Sequence, residues 1–135
     1  MPVVLEHLAG SAWPEDEEKT RSARMQAMEL ARFPNVYLKV PGVGELLERT
    51  TPLPREGEWP FEHPSPVPLF QEALRRFGPG RLMWGSDYPP AGGREGYANA
   101  LRWARAEFRD LPEADQAAIF GGVARKVFRL PALNA

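Results

Sequence analysis

An α/β fold with about three parallel strands joined by crossover helices is the class this sequence predicts. Two observations carry that prediction. Three short apolar runs, each bounded by Gly, Pro or Asn, read as buried strands. Segments with apolar residues every three or four positions follow each run and read as helices. A strand–helix–strand order with helical connections argues a parallel sheet, because parallel neighbours need a long crossover.

The first run is Pro2-Val3-Val4-Leu5, leading into Glu6 and His7. Pro14 followed by Glu15, Asp16, Glu17 and Glu18 then suits a helix start, since carboxylates favour the positive end of the helix dipole. That helix is expected to reach Arg32, with Met25, Met28 and Ala31 on one face, and to stop before Pro34. The second run is Asn35-Val36-Tyr37-Leu38-Lys39-Val40. Thr50 to Pro68 holds six prolines and two aromatics and reads as a long ordered loop. Ser65-Pro66 signals a helix start and Gly78 its stop, with Leu69, Phe70, Ala73, Leu74 and Phe77 at helical spacing between them.

The third run is Arg81-Leu82-Met83-Trp84, leading into Gly85-Ser86-Asp87. Tyr97, Leu101, Ala104 and Phe108 mark a further helix. Leu111 to Phe120 and Val123 to Phe128 are expected to form two short closing helices around Gly121-Gly122. No internal repeat and no low-complexity tract interrupts this order.

With 135 residues the chain is one domain by size. Such a domain buries roughly two-thirds of its unfolded surface. A net charge of −1 gives no electrostatic reason to bind nucleic acid or an anionic membrane. Without cysteine, disulfides and thiolate chemistry are excluded, and any metal must be held by His and carboxylates. No signal peptide or membrane-spanning run is apparent, so a cytoplasmic location is the default expectation.

Parallel α/β sheets bind ligands beyond the C-terminal ends of their strands. The first run stops at Glu6-His7, the second at Lys39, Val40 and Gly42, and the third at Ser86-Asp87-Tyr88. Asp87 is the sharpest candidate. A carboxylate there can bind a divalent cation or take a proton from metal-bound water; it can also be a turn or capping aspartate. His7 offers an imidazole as metal ligand or base, or simply a hydrogen bond at a core edge. His63 lies in the proline-rich loop and reads as exposed. Lys39 either neutralises an anionic substrate or pairs with a neighbouring carboxylate. Arg94 opens the last long helix and is expected at the surface, with a substrate carboxylate as its functional alternative. Trp84 is expected between sheet and helix, and Tyr88 at the lining of a pocket. No phosphate-binding glycine loop, nucleophile elbow or His-Glu-x-x-His pattern occurs.

Taken together, Val3-Val4-Leu5-Glu6-His7-Leu8, Pro34-Asn35-Val36-Tyr37-Leu38-Lys39, Phe77-Gly78 with Arg81-Leu82-Met83-Trp84-Gly85-Ser86-Asp87-Tyr88-Pro89, and the tail Phe120 to Phe128 resemble the amidohydrolase-related family of metal-dependent hydrolases. The resemblance implies a partial (β/α)₈ barrel: the last three βα units, with the N-terminal barrel half absent. A complete barrel needs about 200 residues or more.

It also implies that Asp87 ends the eighth strand as metal ligand or water-activating base, and that His7, after the sixth, is a metal ligand or catalytic group. The implied activity is hydrolysis of a small lactone, ester or amide, with Lys39, Arg94 and Tyr88 as substrate-binding candidates. A metal-assisted decarboxylase is the alternative on the same fold, and a non-catalytic fragment needing a partner is the third. The implied cofactor is a divalent ion, zinc or manganese.

The departures lie in the ligands and in the sheet. The family's first-strand His-x-His pair has no counterpart, leaving His7 and Asp87 as two donors where zinc usually takes three. Three strands cannot close a barrel, and two open edges invite pairing. The isolated chain is therefore expected to bind metal poorly. The expectation is then an incomplete gene product, or a chain that pairs with a second copy or a complementing chain.

Overall fold

The structure, a computed structural model, describes residues 1–10, 17–46, 55–58 and 68–131. Three strands form one parallel sheet in the order β1 (Val3–Leu5), β2 (Val36–Val40), β3 (Leu82–Trp84). Val4 faces Tyr37 across the first pair and Lys39 faces Met83 across the second. The helices are α1 (Glu17–Met28), α2 (Pro68–Phe77), α3 (Tyr97–Glu107), α4 (Glu113–Ala117) and α5 (Val123–Phe128). A parallel sheet flanked by crossover helices is a partial (β/α)₈ arrangement, as the sequence predicts.

Alternation along β2 separates two faces. Val36, Leu38 and Val40 are buried, while Tyr37 and Lys39 are only partly so. The buried face packs with Leu8, Met28, Phe70, Ala73, Phe77, Leu82, Trp103, Phe108 and Ile119 into one core. Phe70, Phe108 and Phe120 pack in sequence, tilted and then edge-to-face, with ring centroids 5.6 Å and 6.1 Å apart. Leu38, on the central strand, is fully buried in this core. Leu38→Ala is expected to lower stability by about 2–5 kcal/mol, read by chemical denaturation.

At the N-terminal end of the sheet, Arg81 ties the elements together. Its guanidinium donates to the carbonyls of Ala31 at 2.8 Å, Phe33 at 3.0 Å and Phe77 at 3.2 Å. These bonds join the end of the first crossover, the entry to β2 and the end of α2. Gly78, at φ 67°, makes the left-handed turn that ends α2.

Several details depart from the sequence reading. The predicted first helix does reach Arg32, but its last residues, Glu29–Arg32, tighten into a 3₁₀ turn. Its predicted start at Pro14 and the Ser65-Pro66 start lie outside the described residues. The two closing helices do kink at Gly121-Gly122, as the sequence predicts: Gly121 leaves helical backbone at φ 169°. Ala118–Gly122 form a π-type turn that runs from α4 into α5. Of the proline-rich stretch, residues 55–58 are described. They sit against α3: Gly57 N–H donates to Asn99 Oδ1 at 2.8 Å, and Trp103 Nε1 donates to the Glu58 carbonyl at 3.1 Å.

Candidate active site

Because the three strands are parallel, their C-terminal ends open on one side, and each hands the chain to a turn carrying a titratable group. After β1, Glu6 leads into a turn at His7–Ala9 in which His7, Leu8 and Ala9 take φ of 51°, 52° and 61°. Left-handed backbone at non-glycine residues costs on the order of 1 kcal/mol each and persists only where the surroundings impose it. Leu8 supplies part of that hold by being fully buried. Arg24 supplies more, its Nη1 donating to the His7 carbonyl at 3.0 Å. Burial pulls the Arg24 pKa down, and the charge of Glu45 opposes the fall.

After β2, Pro41 and Gly42 lead into the short helix Val43–Leu46, which buries Glu45 completely. After β3, Gly85 and Ser86 lead to Asp87, also left-handed at φ 55°. Gly85 N–H donates to the Val40 carbonyl at 3.0 Å, continuing the β2–β3 pairing to the rim of the site.

These turns bring three groups together. His7 Nδ1 lies 2.8 Å from Glu45 Oε1, a bond the imidazole donates when Nδ1 carries the proton and Glu45 is ionised. One donor atom each from His7, Glu45 and Asp87 falls within 4.8 Å of the others. Burial pushes the Glu45 carboxyl above its ordinary value; the His7 bond opposes the rise, and the Asp87 charge adds to it.

Lys39 Nζ pairs with Glu6 Oε2 at 2.9 Å, and its stem lies against Gly85. Glu6, His7, Lys39, Pro41, Gly85 and Asp87 line a single open hollow.

The donor chemistry fits a divalent cation. One imidazole nitrogen and two carboxylates suit zinc or manganese, and three protein ligands are what open zinc sites usually have. An independent sign is Glu45 Oε2, which is buried without a hydrogen-bond partner. A buried carboxylate oxygen left alone is costly. A cation held between Glu45, His7 and Asp87 would satisfy it.

The structure thus brings His7, Asp87 and Lys39 to one place, as the sequence predicts. Lys39 is paired with a neighbouring carboxylate. Trp84 packs against Phe120 and Tyr97, with centroids 6.2 Å and 6.0 Å away.

One expectation is corrected. Arg94 is not at the surface: it is 6% exposed, precedes α3 rather than opening it, and bonds Glu95 through both Nε and Nη2. Burial acts to lower its pKa, but the Glu95 bond together with the charges of Glu95, Glu45 and Asp87 raises it. Tyr88 is 68% exposed and is not among the residues lining the hollow. His63 lies outside the described residues.

Sequence reasoning missed Glu45, so its count of two donors becomes three. The signal was present: Pro41-Gly42-Val43-Gly44-Glu45 follows β2, at the same strand end that marks His7 and Asp87. Among the described residues no helix is long and apolar enough to cross a membrane.

The same site can be compared with known proteins. The family model described as amidohydrolase matches residues 1–130. An L-fucono-1,5-lactonase of Burkholderia multivorans is 32% identical over 143 residues, covering 96% of this chain and 43% of that protein. The crystal structure of an amidohydrolase from the same species with bound zinc has a TM-score of 0.69 at 28% identity, over 96% of this chain and 44% of its own. An amidohydrolase 2 of Bifidobacterium longum subsp. infantis shares the fold, with a TM-score of 0.61 at 21% identity, over 97% of this chain and 41% of its own. The chain therefore spans less than half the length of these relatives.

Proposed function

This chain belongs to the amidohydrolase family, and from that premise we propose that it is the C-terminal part of a metal-dependent hydrolase acting on a small lactone, ester or amide. The observation that carries the reading is the His7–Glu45–Asp87 cluster with its orphaned buried oxygen. Similarity to a lactonase favours a lactone, and the zinc bound in a similar amidohydrolase favours zinc over manganese.

His7, Glu45 and Asp87 would hold the metal, which when bound supplies Lewis acidity toward a carbonyl and lowers the pKa of water. Asp87 faces the hollow and is the group to take the proton from an attacking water. The water oxygen bonds the lactone carbonyl carbon, the ring C–O bond breaks, Asp87 passes the water proton on to the leaving ring oxygen, and a hydroxy acid leaves. Lys39 lies on the same wall and orients a polar or anionic oxygen of the substrate, with Glu6 fixing its ammonium. Arg94 acts from behind Asp87 rather than on substrate. Tyr88 has no part in this reading.

The remaining barrel strands would come from further polypeptide, a complementing chain or a second copy, since among the described residues the outer edges of β1 and β3 have no partner strand.

Calorimetric titration of the chain with zinc and with manganese, followed by assay on sugar 1,5-lactones, tests this reading. One metal bound per chain and metal-dependent acid release are expected. A folded chain that binds neither metal contradicts it. Release of carbon dioxide from an aromatic acid, with no lactone hydrolysis, would favour a decarboxylase instead.

A further inference from the structure

We infer that the Arg94–Glu95 pair is a strut that sets the spacing between Asp87 and Glu45, so that both its members are positioning residues for the cation site. The inference rests on the metal reading above. It starts from a second buried ionic group beside the first. Arg94 and Glu95 are 6% and 2% exposed, and the Arg94 fork meets both oxygens of Glu95, with Nη2 donating to Oε1 at 3.0 Å. The remaining guanidinium nitrogen, Nη1, lies 3.5 Å from Asp87 Oδ2.

The other side of Glu95 presses on the turn that carries Glu45. A Cβ on Gly42 would lie 2.6 Å from Glu95 Oε1, and a Cβ on Gly44 would lie 2.6 Å from Glu95 Oε2. Only glycine leaves room there for the carboxylate. One end of the pair thus reaches Asp87 after β3, and the other seats against the backbone next to Glu45 after β2.

The backbone fixes the strut as well. Ala91 N–H donates to the Asp87 carbonyl at 3.0 Å, and Glu95 N–H donates to the Ala91 carbonyl at 3.2 Å. Asn99 Nδ2 donates to the Glu95 carbonyl at 3.0 Å, anchoring the pair to α3. A buried ion pair adds little net stability over an apolar pair of the same volume. Its bidentate geometry does fix distance and orientation. Partners of this kind, one bond removed from the ligands, tune metal affinity by about 10–100-fold.

The test compares zinc affinity with metal-free stability in the full chain. Glu95→Gln and Gly44→Ala, which drives a methyl into the Glu95 carboxylate, are each expected to weaken zinc binding about 10–100-fold. Combined, they should weaken it no further than one alone. Met28→Ala, a core change remote from the pair, should lower stability and leave zinc affinity unchanged. Should Glu95→Gln not fold, Glu95→Asp carries the same expectation, because it keeps the charge and shortens the reach.

Unchanged zinc affinity in these variants, with the wild type binding zinc, overturns the strut and leaves the metal reading standing. A wild type that binds no zinc sinks the metal reading. The strut is then decided by a double-mutant cycle of Asp87→Asn with Glu95→Gln in metal-free unfolding. Coupling of about threefold or more in the unfolding constant supports it, and additivity overturns it.

Discussion

Asp87→Asn is expected to lower lactone hydrolysis by about 10²–10⁴-fold while leaving the chain folded. The size follows from the group removed. An amide cannot take the proton of an attacking water and is a poorer ligand for a cation. Folding should survive for a local reason. Asp87 sits at φ 55°, a left-handed conformation that asparagine tolerates as readily as aspartate. The amide oxygen also leaves an acceptor facing Arg94 Nη1, which lies 3.5 Å from Asp87 Oδ2. Asp87→Ala would confound the two effects by adding backbone strain. The measurements are steady-state hydrolysis and a denaturation curve on the same preparation. Unchanged turnover removes Asp87 from the mechanism.

Glu45→Gln is expected to act in opposite directions on metal binding and on stability. Zinc affinity should fall by at least about tenfold, since one of three ligands loses its charge. Metal-free stability at neutral pH should hold or rise, because a fully buried carboxylate with an unpartnered oxygen is replaced by a neutral group.

The pH dependence gives a second signature. Burial raises the folded-state pKa of Glu45 above its ordinary value of 4.5. In the window between those values the folded chain holds the extra proton. The metal-free wild type therefore loses stability as pH climbs from 4.5 through the raised value. Glu45→Gln has no such group, so its stability should be flatter across that window. Calorimetric zinc titration and denaturation at several pH values check both parts. A variant that binds zinc like the wild type would remove Glu45 from the ligand set.

The architecture was legible because its signals are local. Val36-Tyr37-Leu38-Lys39-Val40 and Leu82-Met83-Trp84 are short apolar runs with turn residues at their ends, and no helix of useful length fits them. His7 and Asp87 were legible because the parallel fold places strand ends together, so position after a strand is itself information.

Glu45 was obscured because the chain takes a further short helical turn, Val43–Leu46, before presenting it. A glutamate in such a turn looks solvated until the tertiary structure buries it. Arg94 was misplaced for a related reason. An arginine beside two glycines reads as surface, and only the glycine gap at Gly42 and Gly44 shows that its partner Glu95 fits inside. The Gly121-Gly122 pair reads as a helix break on propensity, and the chain does kink there: Gly121 leaves helical backbone at φ 169° between α4 and α5, while Ile119 and Val123 on either side stay buried.

Crystals of the chain soaked in zinc, with anomalous scattering recorded at the zinc edge, would test the convergence of the three strand ends most directly. A single strong peak bounded by His7, Glu45 and Asp87, with a ligand distance of about 2.0–2.2 Å to each, is the expected result. A peak held by other side chains, or none between these three in well-ordered crystals, would contradict it.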